Sequence, residues 1–199
     1  MSEIIKDGTG KGYAAGVDDK NRLLIVGQAD SSAITASLDG RGFFITSLTV
    51  TLTSDSESCV LYLKNTSDSD LVLTNTRFQL GPSTGGSGVY KVGAIVNPTS
   101  GTMITGTDGV DFNADTPFNN NLGDQASKTF TGTVRAGVEG TTCVSVLPTV
   151  PSILGESGIF STDSTIVFPK GSSIAAVVTP PTGNTSCEVI VEWLVYFIS

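Results

Sequence analysis

Cys187-Glu188-Val189-Ile190-Val191-Glu192-Trp193-Leu194-Val195-Tyr196-Phe197-Ile198 decides the fold. In an extended chain Cys187, Val189, Val191, Trp193, Val195 and Phe197 share one parity and line one face. Glu188 and Glu192 fall on the other, beside Ile190, Leu194, Tyr196 and Ile198. A helical period would scatter both sets around an axis, whereas a strand separates them. The first face reads as core, each large side chain stabilising the fold by roughly 1.5–3 kcal/mol when buried. The second is half apolar and half acidic, which reads as a lightly covered surface or an interface.

The same alternation recurs upstream. Phe44, Leu48, Val50 and Leu52 oppose Thr49, Thr51 and Thr53, with the parity disturbed at residues 46–47 as a bulge would do. Cys59, Leu61 and Leu63 alternate with Val60, Tyr62 and Lys64. Residues 71–80, 89–96, 129–134, 142–147, 165–168 and 172–179 read as further strands, the last with Ile174, Ala176 and Val178 on one face. Turn clusters such as Ser54-Asp55-Ser56-Glu57, Pro169-Lys170-Gly171 and Pro180-Pro181-Thr182-Gly183-Asn184 punctuate them. About ten strands without a long helical period predict an all-β antiparallel sandwich.

Residues 1–12 are Gly-rich with mixed charge and read as an extended arm. A hairpin follows, residues 13–17 and 22–26 joined by Asp18-Asp19-Lys20-Asn21, and residues 27–42 read as loop. The division is therefore an arm with a small hairpin, 1–42, and a sandwich domain, 43–199. Residues 97–128 form a long connection rich in Asn, Asp, Gly and Thr. A short strand at 102–105 and a helical turn at 122–127 are expected within it.

Composition narrows the chemistry. Among 199 residues there is no histidine, which removes the commonest general base, proton shuttle and metal ligand. The net charge is −8 and no stretch clusters Lys and Arg, so duplex DNA is not an expected partner. Cys59, Cys143 and Cys187 make no C-x-x-C and sit in strand-like patterns, so they read as reduced core thiols. Met1-Ser2-Glu3 lacks the start of a secretory peptide, and the apolar run 189–198 is too short for a bilayer. The sequons Asn65-Thr66-Ser67 and Asn184-Thr185-Ser186 accordingly read as turn residues.

Four motifs invite a functional reading. Gly8-Thr9-Gly10-Lys11-Gly12 lacks the Ser or Thr after lysine, and the following helix, that a phosphate loop needs. Asp111, Asn113 and Asp115 have the oxygen-ligand spacing of a calcium loop. Thr116 stands where that loop has glycine, and Leu122 where it has the bidentate Glu, so a turn-rich connection is the preferred reading. Tyr62, Tyr90, Trp193 and Tyr196 are the residues from which a sugar-stacking platform would be built, although Trp193 has core parity. The acids are mostly in turns, and sequence cannot pair them across a hydrolytic cleft.

Three ordered strings carry a resemblance: Leu61-Tyr62-Leu63-Lys64-Asn65-Thr66-Ser67 with Asp70-Leu71-Val72-Leu73, Asn97-Pro98-Thr99-Ser100-Gly101-Thr102, and Phe168-Pro169-Lys170-Gly171-Ser172-Ser173-Ile174 with Pro180 to Ser186. They resemble tailed-bacteriophage virion proteins with a jelly-roll sandwich, most of all capsid decoration (cement) proteins. Residues 7–23 are similar to the N-terminal segment of phage structural proteins. The resemblance implies a jelly-roll-like antiparallel β-sandwich with an extended N-terminal arm. It implies a non-enzymatic virion protein, made in the host cytoplasm and placed on the outer capsid surface. There it would bridge neighbouring major capsid subunits as a homotrimer and stabilise the shell. On that reading Lys6, Asp7, Lys11, Tyr13 and Arg22 are the capsid-contact candidates of the arm, and Ile190, Leu194 and Tyr196 the oligomer-interface candidates. The expected partners are the major capsid protein and further copies of the chain. No cofactor, nucleic acid, membrane or small-molecule substrate is expected. A tail-fibre or spike domain that binds host glycan through residues 97–128 is the alternative, and a polysaccharide hydrolase is third.

Overall fold

The computed structural model describes residues 5–6, 14–17, 23–24, 32–105, 110–111, 118–119, 130–145, 153–155 and 157–198. The chain divides into two compact units, Met1–Ser31 and Ser32–Ser199. In the first, β1 (Ile5–Lys6), β2 (Ala14–Val17) and β3 (Leu23–Leu24) form an antiparallel three-stranded sheet in chain order. The expected hairpin pairs Val17 with Leu23 and Gly16 with Leu24. Within the stretch read as an arm, Ile5 and Lys6 pair with Ala15 and Ala14 instead of running free.

The second unit begins with α1 (Ser32–Leu38), where the sequence reads as loop. Seven residues are too few to display a helical period, and tertiary packing decides: Ala36 is fully buried and α1 lies against two strands of the sandwich. Gly40, at φ 69°, turns the chain out of the helix, and Arg41 N–H donates to Ala36 O at 2.7 Å. The strands that follow are β4 (Gly42–Thr46), β5 (Val50–Leu52), β6 (Ser58–Asn65), β7 (Leu71–Leu80) and β8 (Tyr90–Val96). After α2 (Thr102–Thr105) come β9 (Val110–Asp111), β10 (Phe118–Asn119), β11 (Gly132–Ala136), β12 (Ile153–Gly155), β13 (Gly158–Phe168), β14 (Ser173–Thr179) and β15 (Cys187–Phe197).

Two antiparallel sheets result. Sheet I runs β10-β4-β15-β7-β13, with β5 also on β15, and sheet II runs β12-β8-β14-β6-β11-β9. The pairings nest: β4 and β5 with β15, β6 with β14, β7 with β13, β8 with β12. A long hairpin rolled up so that its successive pairs alternate between two layers gives this order, which is the jelly roll. The fold is thus an all-β jelly-roll sandwich.

The core lies between the sheets. All six predicted residues of β15 enter it, its burial alternating strictly along the strand. Trp193 shares this cluster with Phe43, Ile45, Leu61, Leu73 and Ile174. Phe43, Phe130 and Phe197 form an aromatic group with centroids 5.3 to 6.0 Å apart.

Several strands depart from the sequence reading. Leu48 does not join the core: it stands 60% exposed at φ 57°, between β4 and β5, while Phe43 and Ile45 point inward in place of Phe44. The parity break at 46–47 is therefore a break in the strand. In β6 the partner register skips Val60, so Val60 and Leu61 both face the core and Cys59 faces out. Thr102–Thr105 is a helical turn, not a strand. Its Met103 N–H bonds Thr142 O and its side chain plugs an apolar patch, which a strand there would not do. Within 142–147 the described part, 142–145, makes only the isolated bridge Val144–Ser100. Strand 165–168 is the end of the much longer β13. The helical turn expected at 122–127 lies outside the described residues.

Candidate functional site

The two sheets treat their outer faces differently. On sheet II the segments 97–105 and 137–145 fold back over the strands. They enclose a second cluster of Cys59, Tyr62, Ile95, Met103, Cys143, Ala175 and Val177. Arg135 clamps the cover by donating to Met103 O and Ile104 O at 2.7 and 2.8 Å. Gly137 lies so close to β6 that an added Cβ would sit 1.7 Å from Cys59 O, and its N–H donates to Val60 O. Only glycine permits that approach.

On sheet I the outer face is exposed in part: Val72 is buried, whereas Ile159, Val167 and Leu194 reach the surface. Strand register sorts it into rows. Ile190, Gln79 and Ile159 form one; Thr46, Glu192 and Arg77 the next; Phe44, Leu194 and Asn75 the third; Gly42, Tyr196, Val72 and Val167 the last. Ile159 is 62% exposed, Val167 48% and Leu194 38%. Glu192 and Arg77 are ion-paired at 3.2 Å in the middle of the apolar rows. At the Ile190 end a groove of about 250 Å³ opens, lined by Thr49, Gln79, Gly81, Ile159, Glu188 and Ile190 among others. The register of β15 on β7 skips Thr74, as a bulge does. Such a face suits a protein surface: apolar rows, a polar rim and one internally neutralised charge pair.

The sequence candidates divide accordingly. Ile190, Leu194 and Tyr196 do come together on this face, spread over three of its rows. Lys6 is on β1 opposite Ala14, while Asp7, Lys11, Tyr13 and Arg22 lie outside the described residues. Asp111 is on β9 opposite Arg135, and Asn113 and Asp115 lie outside the described residues. The four aromatics do not form one platform. Trp193 and Tyr90 are in the core, Tyr62 is under the cover of sheet II, and Tyr196 is on the outer face of sheet I. Tyr90 donates to Gly81 O at 2.6 Å, and burial, with help from Cys187, raises its hydroxyl above the ordinary value. Both sequon asparagines are buried: Asn65 donates to Ser69 O and Phe168 O, and Asn184 to Leu52 O and Ser54 O. Neither carboxamide is presented for glycosylation.

Among the described residues no group of three or more His, Cys, Asp or Glu is placed to hold a metal ion, and no helix is long and apolar enough to cross a membrane. The perturbed acids are structural. Hydrogen bonds from Thr53, at 2.9 Å from its N–H and 2.6 Å from its hydroxyl, and from Ser54 hold Glu139 below the usual carboxylate range. They tie the end of β5 to the cover of sheet II.

No protein-family model and no curated protein sequence matches the chain. A chain from the X-ray structure of tomato aspermy virus is similar over 78% of this chain and 79% of its own length, at 8% identity and a TM-score of 0.28. At that score the likeness carries no argument, and the fold assignment rests on the strand order above.

Proposed function

We propose that the chain is a non-enzymatic virion structural protein that decorates a phage capsid, bridging neighbouring major capsid subunits as a homotrimer. The observation that carries this reading is the open outer face of sheet I, with Ile190, Leu194 and Tyr196 on the strand that also anchors the core. A jelly roll is an architecture that viral capsid domains use, though a fold alone does not assign a function. The sequence resemblance to cement proteins points the same way. On this reading sheet I meets the other copies, and the N-terminal unit, with Lys6 on β1, engages the shell. Many weak contacts repeated over a lattice then add through avidity.

Electron microscopy of particles labelled on this chain tests the proposal. Density over the shell in clusters between major subunits is the expected result. Label confined to a tail tip would overturn it in favour of the glycan-binding reading. Removing residues 1–12 should lower capsid occupancy and heat resistance, and unchanged occupancy would take that segment out of the mechanism.

A further inference from the structure

We infer that Cys59 and Cys143 are a latent disulfide, an oxidation site that locks the cover of sheet II onto the sandwich. Their sulfurs lie 2.9 Å apart, less than about 1 Å beyond a disulfide bond length. Backbone bonds fix both sides of the contact. Cys59 N–H donates to Thr141 O at 2.7 Å, Gly137 N–H to Val60 O at 3.0 Å, and Val144 N–H to Ser100 O at 2.8 Å. The main chain that carries each cysteine is therefore held close to the other's. Cys187 takes no part, since it belongs to the core between the sheets.

The hydrogen bond to Cys143, together with burial, keeps the Cys59 thiol protonated well above its ordinary range. In this scheme Cys143, which lies in the covering segment, reacts first. With oxidised glutathione as oxidant, the Cys143 thiolate attacks the glutathione disulfide, forming a mixed disulfide and releasing one reduced glutathione. The Cys59 thiolate then displaces the second. Two protein thiols lose two protons and two electrons, one protein S–S bond forms, one glutathione S–S bond breaks, and two glutathione thiols leave. The new bond joins residues 84 apart, a span at which cross-linking strongly restricts the unfolded chain. The pair would stay reduced in cytosol and close outside it.

The test uses the full chain incubated with oxidised glutathione, then denatured and labelled with a polymer maleimide. Reduced protein should take up three labels and oxidised protein one, on Cys187. Peptide mapping should show Cys59 joined to Cys143 with the loss of two hydrogens. The midpoint of thermal unfolding should rise by ~5–15 °C and fall back with dithiothreitol. Cys187→Ala should behave like the wild type, and Cys143→Ser should give no internal cross-link. Three labels after oxidation, a cross-link through Cys187, or a glutathione adduct that never resolves would overturn the inference. Peptide mapping of the wild type decides the matter even where a variant does not fold.

Discussion

Strands β14 and β15 are neighbours in sequence and both supply the core, yet β14 is buried on both faces and β15 on one. Ser173–Thr179 is apolar almost without interruption, and its outward Ala175 and Val177 lie under Met103 and Cys143. Cys187–Phe197 carries Glu188 and Glu192 on its outward side, between Ile190, Leu194 and Tyr196. Among the described residues, connecting segments close one outer face, and the other keeps Ile159, Val167 and Leu194 exposed. An uncovered strand interior in a single chain marks where association is cheapest, because the rigid sheet loses little entropy on docking.

Substitutions on the two faces should therefore fail differently. The largest effect belongs to the covered face. Met103→Ala removes a fully buried side chain and should destabilise the fold by about 2–4 kcal/mol in urea unfolding, with no change in association of the folded form. Gly137→Ala should cost about 1–3 kcal/mol, because its new methyl must push the cover away from Cys59 O. On the open face, Leu194→Ala should shift the monomer's stability by less than about 0.5 kcal/mol while weakening self-association. A loss of stability as large as that of Met103→Ala would show that the face is not open.

The smallest effect concerns pH. Glu139 has its folded value depressed, so its stabilising contribution is complete above its ordinary value near 4.5 and fades as pH falls through the folded value below it. The stability difference between wild type and Glu139→Gln should therefore be constant above about pH 5 and shrink on acidification. A difference that grew on acidification would reverse the sign and detach Glu139 from Thr53.

Much of this was legible in the chain, for particular reasons. β15 announces itself because its glutamates interrupt an otherwise continuous apolar run every fourth residue, fixing the parity. β14 carries the signal of double burial in its unbroken Ile174 to Val178, although alternation alone marks only the face of Ile174, Ala176 and Val178. Three features were hidden. α1 is under two turns long and has no period to read. The skipped register at Val60 inverts the parity of Cys59, and Val60 O there accepts from the N–H of Gly137, 77 residues later. The thiol pair arises only when the segment 137–145 folds back over sheet II, a contact local patterning does not contain. The interface candidates were legible as residues, but the rows they share with Ile159, Phe44 and Arg77 needed the strand order.

Sedimentation velocity at micromolar concentration, comparing the wild type with Leu194→Glu, asks whether sheet I is where copies of the chain meet. A charge placed in the third row of the open face should leave the unfolding midpoint nearly unchanged and convert a trimer into a monomer. A wild-type chain that sediments as a monomer, or a variant that associates as well as the wild type, would contradict the assignment of sheet I as the contact face.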